Sequence, residues 1–219
     1  MNALRLAVFD CDGTLCDGQA GVVAAMETAF AETGLPAPGR HQIRRIVGLS
    51  LPQAIRLLAP DATSESQREA VEAYKRAFRR SREDGSLREP LFEGIAPLLE
   101  RLRASEWTLG VATGKSDRGL ASTLAAHGLT DLFATLQTAD RHPSKPDPGM
   151  LDAAMEDVLA APWQTVMIGD TAYDIEMARN AEVRAIGVAW GYHEPAELLE
   201  AGAEIVAGSV RELEDILHG

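Results

Sequence analysis

Apolar residues along the chain come in short runs, each closing on a polar residue. The clearest are Leu6-Ala7-Val8-Phe9 before Asp10, Leu109-Gly110-Val111-Ala112 before Thr113, and Val166-Met167-Ile168-Gly169 before Asp170. Runs of this kind, without alternation, predict strands buried on both faces, as in a parallel sheet. Weaker runs at 134–138, 185–189 and 205–206 predict further strands. Between them the apolar positions take a helical period, over 94–105, 119–127, 148–159, 172–181 and 194–201. Strand alternating with helix predicts the α/β class, a doubly wound parallel sheet of Rossmann-like form.

The stretch 18–88 breaks this rhythm and contains no convincing strand. Val22, Met26, Ala29 and Phe30 fall on one helical face, and 51–58 and 65–82 continue as amphipathic helices. An all-helical insert placed directly after the first strand divides the chain into a core domain, 1–17 with 89–219, and a helical domain, 18–88. Gly18 on one side and Gly85 with Pro90 on the other are the expected hinges, because such residues interrupt regular structure. The alternating charges of 65–83 read as a solvated helix face. Trp107, Trp163 and Trp190 are scattered and read as core or rim packing.

Composition and charge narrow the function. With 219 residues, 46% of them hydrophobic, the chain can bury a real core. Its formal net charge of −12, without a basic cluster, argues against nucleic acid as a partner. An acidic protein that accepts an anion must reverse its field locally, with a few cations or a metal. Cys11 and Cys16 stand in an apolar stretch and read as small buried side chains, not as a disulfide or zinc site. Residues 1–9 lack the long apolar core of a signal peptide, and no run approaches the ~20 residues of a membrane span. A cytoplasmic protein with no membrane partner is expected; oligomeric state has no signal here.

The candidate chemistry lies where the apolar runs end. Asp10 and Asp12 straddle one residue at a turn that Gly13 makes sharp. Two carboxylates this close can divide labour, one attacking phosphorus while the other, protonated, serves the leaving group. The alternative is a solvated Asp-Gly turn. Thr113-Gly114-Lys115 offers a hydroxyl, a backbone N–H and an ammonium, the donors of a phosphate cradle, or else an ordinary helix cap. Lys145 sits in Ser144-Lys145-Pro146-Asp147-Pro148, stiffened by proline just before a helix. Asp170 and Asp174 lie one helical turn apart. They can hold a hard cation beside Asp10, Mg2+ preferring few carboxylates and several waters, or can cap the helix.

Nucleophile, hydroxyl, lysine and metal carboxylate thus arrive in order at separate strand ends or helix starts. The set resembles the haloacid dehalogenase-like superfamily, whose four motifs match at 10–17, Thr113, Lys145 and 169–174. The insert is similar to that superfamily's small helical cap. The resemblance implies a Mg2+-dependent phosphatase acting on a small phosphorylated metabolite. Asp10 would be the nucleophile that becomes an aspartyl phosphate, and Asp12 the acid and then the base. Asp10, the Asp12 main-chain carbonyl, Asp170 and Asp174 would form the metal site, and Gly13, Thr113, Gly114 and Lys145 would bind the phosphoryl oxygens. Asp12 sets the chain apart from dehalogenases and phosphonate-cleaving relatives, which replace that second acid. Lys115 is similar to the lysine of phosphoglycolate phosphatase-like and pyrophosphatase-like members. Gly18, where many relatives carry Ser, departs from the pattern.

The helical insert is expected to read the substrate through 41–50, where Arg44, Arg45 and Gly48 precede a helix start, with Lys115 as a further specificity candidate; the alternative is that both arginines lie on the solvated face of a cap helix. The rival readings are a phosphomutase of the β-phosphoglucomutase type, a pyrophosphatase, a phosphorylated signalling module of the receiver type, and a non-catalytic binding protein.

Overall fold

The computed structural model describes residues 4–218; residues 1–3 and 219, the outer ends of the expected core domain, lie outside the described residues. Strands β1 (Arg5–Phe9), β2 (Trp107–Thr113), β3 (Thr135–Thr138), β4 (Thr165–Gly169), β5 (Arg184–Val188) and β6 (Ile205–Ala207) form one sheet in the order β3-β2-β1-β4-β5-β6. All pairings are parallel. The fold is α/β and doubly wound, and both faces of the sheet are covered. Along β1 the alternation of side chains explains why: Ala7 and Phe9 join one hydrophobic cluster, Leu6 and Val8 the opposite one, and all four are fully buried. Helices α5 (Ile95–Ala104), α6 (Asp117–Ala126) and α10 (Val210–His218) lie toward the first cluster. Helices α7 (Gly149–Val158), α8 (Ala172–Asn180) and α9 (Pro195–Ala201) lie toward the second.

Between β1 and β2 the chain forms α1 (Gln19–Glu32), α2 (Arg40–Arg45), α3 (Leu51–Leu58) and α4 (Ser64–Glu83). Val22, Met26, Ala29 and Phe30 are buried along one stripe of α1. The facing stripe of α4 is made of small residues, Ala70, Ala73 and Ala77, which let the two helices approach closely. These helices share a third hydrophobic cluster, separate from the two that sandwich the sheet.

Two sequence expectations need amendment. Helix α10 was not anticipated, because it buries only Leu213 and Leu217 and so repeats its apolar signal once. Trp107 is buried and Trp190 donates from Nε1 to the Thr14 carbonyl at 3.1 Å. Trp163, by contrast, is 85% exposed and does not pack.

Candidate active site

Strand order reverses between β1 and β4, and in an open α/β sheet ligands gather outside the carboxyl ends of the strands flanking that switch. Asp10 follows β1 and Asp170 follows β4. The Asp10 N–H donates to the Ile168 carbonyl at 2.9 Å, tying the two strand ends together, and both carboxylates are fully buried. Thr14 Oγ1 donates to Asp170 Oδ1 at 2.8 Å, and the Tyr192 N–H donates to Asp170 Oδ2 at 2.9 Å. The turn after β1 crosses directly over this carboxylate. Gly13 has φ +90, and a Cβ there would stand 2.2 Å from Asp170 Oδ2, so the crossing requires glycine.

Helix α8 is capped by Thr171, whose N–H and Oγ1 both donate to Asp174 Oδ2, at 3.1 and 2.7 Å. The capping role and a site role therefore coexist in Asp174, because its other oxygen, Oδ1, turns toward Lys145 Nζ at 2.5 Å. Lys145 precedes a cis peptide to Pro146, is 1% exposed, and stands 2.9 Å from Asp10 Oδ1. Burial works against its ammonium, but Asp10 and Asp174 more than offset this and hold its pKa above that of an ordinary lysine. Burial pushes Asp10 up to about 7 against the pull of Lys145, and it pushes Asp170 well above the usual carboxylate range.

One carboxylate oxygen from each of Asp10, Asp170 and Asp174 lies within 4.8 Å of the others. Asp10 Oδ1 meets the Lys145 ammonium, and Asp10 Oδ2 has no hydrogen-bond partner among the described residues. Three buried acids gather beside one lysine, the donors are all hard oxygens, and one oxygen of the central carboxylate has no partner. That donor set fits a hard divalent cation.

The Asp12 side chain belongs to a second group. Its Oδ1 lies 3.0 Å from Lys115 Nζ, which Glu89 Oε1 holds at 2.6 Å. Burial raises the Asp12 pKa, with Lys115 opposing. Lys115 is thus already paired, its ammonium directed at Asp12. A Cβ on Gly18 would stand 2.7 Å from Asp12 Oδ1, so glycine at this position leaves the carboxylate room to reach Lys115.

Above these groups lies a cavity of about 400 Å³. Asp10, Asp12, Thr113, Gly114 and Lys115 line its floor, and α1, α3, α4 and the turn between α2 and α3 line its roof. Floor and roof meet backbone to backbone at Gly114, where a Cβ would stand 2.5 Å from the Leu49 carbonyl oxygen. Gly48 lines the cavity as expected from 41–50, but the arginines before it do not. Arg44 is exposed, and Arg45 turns away to an ion pair with Glu197 Oε2 at 2.6 Å. A six-residue helix leaves its rotational phase undetermined by sequence, and here α2 turns Ile43 inward instead. The expectation for α4 also changes: Tyr74, Lys75, Phe78, Arg79 and Arg82 line the cavity, so that face is not wholly solvated.

Several residues carried no sequence signal. Glu89, in the segment returning from α4, orders Lys115. His193, 3% exposed, accepts from the Ala172 N–H at Nδ1 (3.1 Å) and meets the Arg45 carbonyl through Nε2 (3.3 Å). The Tyr173 hydroxyl donates to the same carbonyl at 3.1 Å. Only the fold brings these groups together.

The family model described as Haloacid dehalogenase-like hydrolase matches residues 7–188. The "Probable phosphatase IndB" of Dickeya dadantii (strain 3937) is 35% identical over 97% of this chain and 93% of its own. A phosphoglycolate phosphatase of Vibrio vulnificus (strain CMCP6) is 26% identical over 98% and 96%. The crystal structure of a hydrolase from Pseudomonas syringae superposes with a TM-score of 0.87 at 26% identity, covering 98% of each chain. Motif residues at the switch point, their burial about Asp10 and a match spanning nearly the whole chain agree: the chain belongs to the haloacid dehalogenase-like hydrolase family.

Proposed function

We propose that the chain is a Mg2+-dependent phosphatase that hydrolyses a small phosphomonoester through a phosphorylated Asp10, with 18–88 acting as a cap over a core of 1–17 and 89–219. The observation that carries this reading is Asp10 itself: fully buried, one oxygen against Lys145 and the other without a partner among the described residues, with two further acids beside it beneath the cavity. The relatives named phosphatase support the reaction class. Asp10, Asp170 and Asp174, with the Asp12 main-chain carbonyl, are the groups that would hold the ion. When bound, Mg2+ supplies positive charge to phosphoryl oxygens that an acidic protein would otherwise repel.

In the first half-reaction an Asp10 oxygen bonds to phosphorus while the ester P–O bond breaks. The departing alkoxide takes a proton from Asp12. In the second, water attacks the acyl phosphate and gives its proton to the Asp12 carboxylate. The P–O bond to Asp10 breaks, releasing inorganic phosphate and restoring both acids. Gly13, Thr113, Gly114 and Lys145 bind the phosphoryl oxygens, and catalysis is mainly positioning and charge neutralisation. Lys115, locked by Glu89, keeps Asp12 oriented. The unpaired, buried Cys11 and Cys16 suit a reducing cytoplasm. No helix among the described residues is long and apolar enough to cross a membrane.

A screen of phosphorylated metabolites for phosphate release, with acid-quench detection of phosphoenzyme, tests the reading. Isomerisation of a hexose phosphate without free phosphate would replace it with a mutase cycle. Asp12→Asn is expected to slow phosphoenzyme breakdown alike for every ester, but to slow its formation about 10²- to 10⁴-fold from an alkyl phosphate and much less from p-nitrophenyl phosphate, since the nitrophenolate leaves without a proton. Equal slowing of formation from both would remove the acid role from Asp12.

Metal binding should stabilise the fold in a pH-dependent way. The Asp10 pKa is raised to about 7, so the metal-free fold keeps this proton to near neutrality; the stability it lends is full at low pH and is lost as pH rises through 7. A cation must displace that proton, and the one that burial favours on Asp170, so its affinity climbs as pH rises through 7. At pH 8, Mg2+ at ~100 times its Kd should add ~2.7 kcal/mol, a Tm rise of roughly 5–11 °C. At pH 5.5 the same concentration should add clearly less, because protons compete for both carboxylates. A Tm gain equal at both pH values, read by calorimetry, would detach the metal from Asp10. Asp170→Asn should raise the Mg2+ needed for half-maximal rate far more than Lys145→Ala does.

A further inference from the structure

The chamber over the floor differs from what a two-carbon acid or a sugar would need. Its volume of about 400 Å³ falls in the ~300–1,000 Å³ range of sites that enclose a drug-sized ligand. Its roof is hydrocarbon: Val22 and Met26 from α1, Val47 and Leu49 from the α2–α3 turn, and Tyr74 and Phe78 from α4. The two aromatic rings stack on each other, centroids 5.7 Å apart at 19°, and the Phe78 ring stands 5.8 Å from Lys115 Nζ on the floor. Three cations of α4, Lys75, Arg79 and Arg82, line the chamber beside this hydrocarbon. Lys75 pairs with Glu72 at 2.8 Å in solvent, Arg82 lies toward Glu89 at 3.7 Å, and Arg79 is exposed.

Accepting the phosphatase reading above, we infer that the substrate's leaving group carries a hydrophobic body the size of an aromatic ring or a six-carbon chain, which packs beneath Met26, Tyr74 and Phe78. Such a body would exchange water for the roof's hydrocarbon as the cap closes, and the binding energy would be available at the transition state. Small polar esters such as phosphoglycolate would leave the roof unfilled.

A series of alkyl phosphates tests this, because the alcohols leave with nearly equal ease and differ only in length. With the Mg2+-loaded full chain, kcat/KM should rise about fourfold per methylene from methyl toward hexyl phosphate, the fold-change that ~0.8 kcal/mol per buried CH2 corresponds to. Hexyl phosphate should exceed both methyl phosphate and phosphoglycolate by at least about 100-fold. Phe78→Ala should shrink the hexyl-to-methyl ratio about tenfold, and a ratio cancels any loss of folded enzyme. A flat series, or phosphoglycolate matching hexyl phosphate, overturns the inference while Asp10-dependent phosphate release leaves the phosphatase reading standing. A steep series untouched by Phe78→Ala moves the hydrophobic contact out of this chamber and overturns it equally. Release from no ester at all overturns both readings.

Discussion

Asp10→Asn is expected to lower phosphate release at least about 10⁴-fold while leaving a cooperatively folded protein, because the amide has nearly the shape of the carboxylate and little of its nucleophilicity. The stability half of this expectation follows from burial. Asp10 is fully buried, is met by the Lys145 ammonium on one oxygen only, and has its pKa pushed up to about 7 by desolvation. Above that pH the metal-free fold carries an ionised group in a site that disfavours it, a cost that the neutral amide removes. Its replacement also takes one partner from Lys145, although Asp174 stays at 2.5 Å. Without metal at pH 8 the variant should therefore melt no lower than the parent. With Mg2+ the order should invert, because only the parent gains the cation. Calorimetry at both conditions, beside a phosphate assay, checks the pair of effects. Residual turnover within tenfold of the parent would exclude a covalent route through Asp10.

Lys145→Ala should produce the largest loss of stability among the site variants. Its ammonium is 1% exposed and lies between Asp10 Oδ1 and Asp174 Oδ1 at 2.9 and 2.5 Å. Removing one member of a buried ion network leaves uncompensated charge and costs about 3–5 kcal/mol, a Tm fall of roughly 6–20 °C for a chain of this size. The loss should be smaller at pH 5.5 than at pH 8, since Asp10 takes up its proton as pH falls through about 7 and then needs no cation. Lys145 is itself raised above an ordinary lysine, so its own contribution is complete throughout that window. Coupling with Asp174→Asn provides the cross-check: if the pair matters, the double variant should lose less than the sum of the single ones. Additive losses would mean that Lys145 acts mainly by filling space.

How much of this was legible beforehand depended on whether a residue's role follows from its place along one element. Asp10, Thr113 and Asp170 end apolar runs, and a parallel sheet puts strand ends on a common edge whatever the details of packing. The fold class and strand positions were readable for the same reason. Glu89 was not readable, because it matters only through the return path of the chain after α4 and its 2.6 Å approach to Lys115. His193 likewise depends on the loop after β5 folding back over the start of α8. Arg44 and Arg45 were chosen on charge, but which way a short helix turns is decided by which apolar residue finds the core, and here Ile43 did. The cavity-facing side of α4 hid among alternating charges for a related reason: Tyr74 and Phe78 are one helical turn apart, a spacing that fits core packing and a binding wall equally well.

The Arg45 carbonyl sets how firmly the helices hold to the core. Tyr173 Oη–H and His193 Nε2–H converge on that single oxygen from beside α8, at 3.1 and 3.3 Å. Each such bond replaces one to water, so its net worth is about 1 kcal/mol and the two together about 2 kcal/mol. If 18–88 opens as the proposed cap, that clasp would favour the shut state roughly thirtyfold and leave a few per cent of molecules open from this contact alone. A contact of that size would hold the helices over the site without making their release costly. Because its two donors stand beside the first turn of the helix that bears Asp174, whatever tightens that turn should also slow the opening.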